Sequence, residues 1–300
     1  MLDFPPHGSD AIMRCGPSVV GLTLNYRDAQ RTARCVHSLR QAGCQFVVVW
    51  DNSADDGVSA AALHQLDASD DLRIVCSASN LGFAAGVNRG LELIAAQSPR
   101  SWVMLLNNDA RVASDGIGEL HAALQAHPAA LLAYPRIDHG GRVIGTAWYQ
   151  RCLGLITATP LPGSFPFASG CALLIALGRL PRVALFDERF FMYGEDVALG
   201  ASLARKTGAM CHVPRVLVWH EGSASSGMGS AFYEARTVAA HLLLARVLAR
   251  HAGDHVGLLM GRALALSARA VVRAARYRSA QPLRALFTGF KLAVTSRRGT

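Results

Sequence analysis

No two cysteines in this 300-residue chain stand at CxxC spacing, charged residues make up only 17% of it, and acidic residues almost vanish beyond position 228. The seven cysteines (Cys15, Cys35, Cys44, Cys76, Cys152, Cys171 and Cys211) are odd in number and scattered. That excludes a metal finger, gives no disulfide framework, and makes a reducing cytosol the simple expectation. Residues 1–16 hold Asp3, Asp10 and two prolines without an apolar core, so they read as a mobile leader rather than a secretory signal. The longest uncharged run, 152–178, is long enough to cross a bilayer. Pro160, Pro162, Pro166 and four glycines break any helix through it. No internal repeat and no low-complexity tract is visible.

What is present is a hydrophobic content of 51%, enough for one large domain or two small ones and incompatible with disorder as the main state. The net charge of +9 by itself suggests a nucleic-acid partner. Its distribution argues otherwise. Residues 229–300 carry twelve basic and two acidic side chains, which leaves residues 1–228 close to neutral.

The first half alternates short β-branched runs with helical stretches. Val19–Leu24, Phe46–Trp50, Arg73–Cys76 and Trp102–Leu106 read as strands, with helices over 29–41 and 83–96. Strands hydrophobic on both faces with helices between them predict a parallel sheet covered on two sides. Ligands of such sheets sit at the carboxyl ends of the strands. Those ends are polar here: Asn25-Tyr26-Arg27, Asp51-Asn52-Ser53, Asn80-Leu81-Gly82 and Asn107-Asn108-Asp109. Any one cluster is also what turns and helix caps require, but four on one rim favour a site. Further on, 167–177 suits a buried strand that continues or edges the sheet. An aromatic loop then enters a helix at Glu195-Asp196, and a last short strand, 213–220, ends in His220.

As chemistry, Asp109, Asp196 and His220 offer ligands for Mn or Mg beside phosphate oxygens together with a general base. A strand-end Asp also caps helices, an acid in a first turn also suits the helix dipole, and a lone His after a strand is commonly structural. Spacing alone does not separate these readings.

The ordered motifs do more. The runs 48–53, 80–90 (NLGFAAGVNRG), 105–110 (LLNNDA) and 186–196 match in order, followed by His220 with Gly222-Ser223 and by FYEAR at 232–236. With them the chain resembles glycosyltransferase family 2, in the branch that includes bacterial rhamnosyltransferases of cell-surface polysaccharide synthesis. The resemblance covers roughly residues 17–237, with a weaker echo at Gly289. It implies a GT-A fold: an α/β, Rossmann-like, mostly parallel central sheet with helices on both faces, plus a C-terminal helical appendage. It also implies inverting transfer of a sugar from a nucleotide donor, with L-rhamnose from dTDP-rhamnose as the expected donor, to a saccharide or lipid-linked acceptor.

By that resemblance Asp51 contacts the base or ribose and Asn25, Tyr26 and Arg27 shape the same pocket. Asn80, Gly82, Asn88, Asn107 and Asn108 complete the donor site, and Gly82, Gly86 and Gly90 allow close packing around the donor. Asp109, in the place of the family's DxD, and His220 hold the divalent cation. Asp196 is the base that takes the proton of the acceptor hydroxyl, with Glu195 and Tyr193 on the acceptor side. The family's acid and arginine beyond this pair are Ala198 and Ser202 here, a joint loss that fits a dispensed ion pair. It leaves open a catalytically silent relative that binds a nucleotide sugar or a partner.

The expected division is a leader at 1–16, a catalytic domain at 17–228 and a basic helical region at 229–300. In the last, Arg262, Arg269, Arg273 and Arg276 form a narrow stripe on one helix, with Met260, Leu264 and Val271 on the far side. The stripe is either a solvated face on a packed helix or a contact for an anionic membrane surface. No recognition motif for nucleic acid accompanies it. The expected location is cytoplasmic, peripheral at the inner face of the cytoplasmic membrane.

Overall fold

The computed structural model describes residues 18–221 and 230–295. The expected leader, Gly222-Ser223 and the basic pair Arg297-Arg298 lie outside the described residues. The first half is β1 (Val19–Asn25), α1 (Ala29–Gln41), β2 (Phe46–Asp51), α2 (Val58–Leu66), β3 (Leu72–Cys76), α3 (Gly82–Gln97), β4 (Trp102–Leu106), β5 (Ala110–Val112), α4 (Gly116–Ala126) and β6 (Leu132–Asp138). The second half is β7 (Val143–Ile144), β8 (Ala147–Gln150), β9 (Ile156–Thr157), β10 (Ser164–Phe167), β11 (Ala172–Ala176), α5 (Glu195–Leu203), β12 (Met210–His220), α6 (Ala231–Val247), α7 (Ala252–Tyr277) and α8 (Gln281–Thr295).

The main sheet has nine strands in the order β3-β2-β1-β4-β11-β6-β12-β5, with β7 beside β6. From β3 to β4 all pairs are parallel. The sheet then turns mixed, because β11 runs antiparallel to both β4 and β6. The run expected to continue or edge the sheet thus supplies a central strand, with all five residues of β11 buried. Alternate residues of β1 feed two separate cores: Val19 packs with Cys35, Val36 and Leu39 of α1, and Val20 and Leu22 pack with Val87 and Leu91 of α3. Helices therefore cover both faces, as the alternation of strand and helix predicts. α1 begins where Asp28 accepts a hydrogen bond from Arg31 N at 3.1 Å, the expected side-chain cap. β8, β9 and β10 form a separate three-stranded sheet, and α5 lies close against β10: a Cβ on Gly200 would stand 2.3 Å from that of Phe167.

Ala198 and Ser202 fit this packing. Ala198 is buried in a cluster with Tyr149, Phe167 and Leu244, and Ser202 Oγ donates to Leu199 O at 2.8 Å. Neither position strands a charge.

The C-terminal helices correct one expectation. The basic stripe of α7 is turned inward. Arg262 is completely buried, donating to Cys152 O at 2.5 Å and Arg151 O at 2.7 Å beneath the ring of Tyr149. Arg269 and Arg273 both pair with Glu234 of α6, at 2.9 and 2.5 Å. Only Arg276 of the four is exposed. α8 closes on α6 at Gly289, where a Cβ would stand 2.6 Å from Ala235 O. The sequence period gave the stripe but not its direction, since long arginine side chains can reach backbone carbonyls and a buried carboxylate as readily as water.

Glu234→Ala leaves two half-buried guanidinium groups facing an empty place. Loss of about 3 kcal/mol is expected, read as a drop in melting temperature of roughly 6–12 °C. An unchanged melting temperature would show that the Glu234 network does not hold α7 to α6.

Candidate functional site

The strand order reverses between β1 and β4, and the site opens at that switch point. Asn25, fully buried at the end of β1, donates from Nδ2 to Asp51 Oδ1 at 3.0 Å, and its Oδ1 accepts from Thr32 Oγ1 at 2.8 Å. Asp51 Oδ1 also accepts from Ser53 N at 3.1 Å and Ser53 Oγ at 2.5 Å, and Ser53 Oγ in turn accepts from Arg27 N at 2.8 Å. This network fixes the turn that carries Tyr26 and Arg27, with Arg27 in the left-handed region at φ 53°. Tyr26 lines the cavity; exposed Arg27 and buried Asp51 are not among the lining residues.

Asn52 joins the second strand end to the third. Its Nδ2 donates to Gly82 O at 2.8 Å and its Oδ1 accepts from Trp50 Nε1 at 3.2 Å, while Asn80 Oδ1 accepts from Gly82 N at 2.9 Å. Gly82 has φ +80°, and a Cβ there would stand 2.2 Å from Phe191 O, which accepts from Phe83 N at 2.7 Å. Only glycine permits that approach, and it locks the start of α3 to the aromatic loop before α5. Gly86 and Gly90 have another use than the one expected. A Cβ on them would meet Leu24 at 2.7 Å and Leu22 at 2.5 Å, so they seat α3 on β1 rather than on a donor. Asn88 likewise serves the packing of the chain itself. It is fully buried, accepts from Leu185 N at 2.9 Å and Phe186 N at 3.0 Å, and donates to Phe186 O at 2.9 Å. Its amide is spent on holding the Phe186 loop and does not reach the cavity.

On the other side, strand register assembles the acid–imidazole pair. β12 pairs antiparallel with β5, His220 opposite Ala110, and parallel with β6, Trp219 opposite Asp138. His220 therefore sits between Asp109 and His139: Nε2 is 2.9 Å from Asp109 Oδ1 and Nδ1 is 2.9 Å from His139 Nδ1. With its proton on Nε2, His220 donates to Asp109 and accepts from His139. The other tautomer donates to His139 and frees Nε2 for a cation, the arrangement by which an outer partner orients a ligand. A separation of 2.9 Å also matches the edge of roughly 3 Å between neighbouring ligands of an octahedral ion with bonds near 2.1 Å. Among the described residues no cluster of three or more His, Cys, Asp or Glu side chains could hold a metal. Asp109 and His220 could offer a cation one carboxylate and one imidazole, and oxygens of a substrate or water would have to fill the rest. Asn108 donates to Thr32 Oγ1 at 3.1 Å, whereas Asn107 Oδ1 is buried without a hydrogen bond.

The acid pair opens α5 behind Tyr193 (φ 67°) and Gly194 (φ 87°), two consecutive left-handed residues. Asp196 Oδ1 accepts from Val197 N at 2.8 Å and Oδ2 from Gly170 N at 3.5 Å. Burial raises the Asp196 carboxyl above the usual range, against the pull of these amides. Burial first and the neighbouring Asp196 second raise Glu195 further, and its Oε2 has no hydrogen bond. Asp196 is the acid of the pair more readily ionised, as a general base near neutral pH requires.

One cavity of about 610 Å³ brings these groups together, within the size range of small-molecule sites. Of the residues singled out in the sequence, it is lined by Asn25, Tyr26, Asn80, Gly82, Asn107, Asn108, Asp109, Tyr193, Glu195, Asp196 and His220. Sequence reasoning missed the roles of Asn52, His139 and Gly170 and the aromatic wall of Phe83, Phe191 and Phe232. Asn52 and Phe191 stood inside recognised motifs. His139 had no local signal, because only strand register brings it to His220.

The sequence profile of glycosyl transferase family 2 matches residues 18–176, more than half of the chain. An N-acetylglucosaminyl-diphospho-decaprenol L-rhamnosyltransferase of Mycobacterium tuberculosis is 26% identical over 211 residues, covering 60% of this chain and 68% of that protein. Among solved structures, GalNAc-T7 with UDP, GalNAc and Mn2+ superposes with a TM-score of 0.58 at 16% identity, over 76% of this chain and 48% of that one. The mannosyltransferase PcManGT of Pyrobaculum calidifontis, in complex with GDP-Man and Mn2+, gives 0.52 at 15% identity, over 95% of this chain and 76% of that one. The polar strand ends, the acid pair and these likenesses converge: the fold is GT-A, and the chain belongs to glycosyl transferase family 2.

Proposed function

We propose that the protein is a metal-dependent inverting glycosyltransferase that moves a sugar from a nucleotide donor to a saccharide or lipid-linked acceptor. The observation that carries the reading is that Asn107, Asp109, His220 and Asp196 line one and the same cavity. Asp109 and His220 would hold Mg or Mn, which supplies positive charge to the diphosphate leaving group. Asn107 and Asn108 line the cavity beside Asp109, and Asn25 and Asp51 brace the wall on which Tyr26 meets the nucleotide. Asp196 takes the proton of the acceptor hydroxyl as that oxygen attacks the anomeric carbon. The bond to the diphosphate oxygen breaks on the opposite side, which inverts the centre. The buried, ligand-poor surroundings of Glu195 favour its neutral form, so one negative charge rather than two faces the developing cationic sugar.

L-rhamnose from dTDP-rhamnose is the donor this reading favours, and a lipid diphosphate sugar the acceptor. The support is the Mycobacterium tuberculosis relative, whose name joins an L-rhamnosyl group to a lipid diphosphate sugar, while the dTDP carrier rests on the family resemblance alone. A catalytic body at 17–228 with a helical region after it, working at the cytoplasmic membrane face, completes the proposal. The silent-binder alternative drew on Ala198 and Ser202, and their ordinary packing gives it no support.

Transfer and nucleoside diphosphate release, measured with a panel of nucleotide sugars and Mn, should fall by about 10²–10⁴-fold in Asp196→Asn. Asp109→Ala should shift the Mn requirement upward; intact transfer in both variants would refute the assignment. Because the Asp196 carboxyl is pushed up to about 6, kcat/KM should drop tenfold per pH unit below that value and level off above it; a profile flat down to pH 4.5 would contradict a base at Asp196. A raised carboxyl value in the folded state means that ionising it costs stability, fully so above the raised value and not at all below the ordinary one. Asp196→Asn should therefore raise the melting temperature at pH 8 and change it little at pH 4; equal shifts at both would contradict the buried charge.

A further inference from the structure

Helix α7 wears its charge on the inside. Its buried side carries Leu258, Arg262, Leu266 and Ala270, and all three arginines between 255 and 275 are spent on the protein body. Its outward side shows Val256, Met260, Leu264, Val271 and Val272, each 56–69% exposed. The other outward residues between 256 and 275 are alanine, glycine and serine, so about 30 Å of helix faces outward without a charge. α8, packed against α6 and α7, also presents Phe287 and Phe290, 64% and 57% exposed. Water-soluble monomers rarely leave so continuous an apolar face uncovered.

The hydropathy and 26-residue length of α7 also suit a membrane span. The arginine anchors exclude that role for the folded protein. They tie successive turns of the helix to Arg151, Cys152 and Glu234, and Gly261 brings it so close that a Cβ would stand 2.4 Å from Cys152 O. Bound along one side, α7 can meet a bilayer only lengthwise.

The surrounding charge identifies the occupant. Arg276, Arg278, Arg284 and Lys291 are exposed at and beyond the end of this face. The only acids of α6, α7 and α8 among the described residues are Glu234, which is buried, and Asp254, which pairs with Arg151. A second copy would meet this rim with the same charge. An anionic bilayer meets it with the opposite one.

We propose that the outward face of α7, with Phe287 and Phe290 of α8, lies in the headgroup boundary of an anionic membrane, the helix parallel to its plane. This replaces the sequence-based expectation of contact through the arginine stripe with contact through the opposite side of the same helix. α6 links the platform to the site, since Phe232 near its start lines the cavity and Glu234, two residues on, holds α7. On the lipid-linked acceptor reading, the acceptor's sugar and its lipid would then be served by adjoining surfaces; the membrane contact itself does not depend on that reading.

The test is flotation of the full-length protein with phosphatidylcholine vesicles, with and without phosphatidylglycerol, and needs no turnover. Wild type should float with the anionic vesicles. Leu264→Glu/Val271→Glu changes only exposed side chains and should keep the wild-type melting temperature and soluble-acceptor transfer, while vesicle affinity falls at least about tenfold. Arg276→Gln/Arg284→Gln/Lys291→Gln should lose roughly fivefold per charge on anionic vesicles and little on neutral ones. Absence of wild-type flotation at low salt would overturn the proposal. So would a stable dimer in solution that Leu264→Glu/Val271→Glu dissociates without any vesicle binding, which would assign the face to a second copy.

Discussion

The site depends on the register of β12, which pairs with two strands of opposite sense. Antiparallel pairing with β5 sets His220 beside Asp109, and parallel pairing with β6 sets it beside His139. A slip of one residue would turn His220 to the other face and dissolve both contacts. The strand tolerates Pro214 because the ladder to β6 is irregular there, with a shift between Val213 and Val216, so the missing amide costs no regular hydrogen bond. Seven residues of ladder beyond and before the bulge thus hold an acid–imidazole pair whose members lie far apart in sequence.

Around that pair the chain alternates saturated and unsaturated polarity. The network of Asn25, Asp51, Ser53 and Thr32 is closed on itself and gives the wall a single shape. Asn107 Oδ1 and Glu195 Oε2, by contrast, are buried with no partner, a costly state that folded proteins keep chiefly where function needs it. The elevated carboxyl of Asp196 belongs to the same pattern: burial raises it at a cost in stability, the state that its proposed role as base draws on.

Much of this was legible in the sequence. The parallel half of the sheet follows from strands such as Val47-Val48-Val49, apolar on both faces, and each of the four polar strand ends supplies residues to the cavity wall. What was not legible depends on tertiary geometry. The motif around Asn88 reads as part of the site, yet the asparagine serves the Phe186 backbone, because a motif records that a residue matters and not what it touches. Gly86 and Gly90 similarly mark a helix–strand approach. The arginine stripe of α7 has a clear helical period, but periodicity defines two faces without saying which is outside; Glu234 and the carbonyls of Arg151 and Cys152 decide it.

On the proposed function, the cavity at the β1–β4 switch point takes a nucleotide sugar with a divalent cation. Thermal unfolding with a panel of nucleotide sugars, with and without Mn, tests it most directly. A donor at a hundred times its Kd should add about 2.7 kcal/mol to the folded state, and the shift should require Mn and vanish in Asp109→Ala. A melting temperature indifferent to every donor, with or without Mn, would contradict the account.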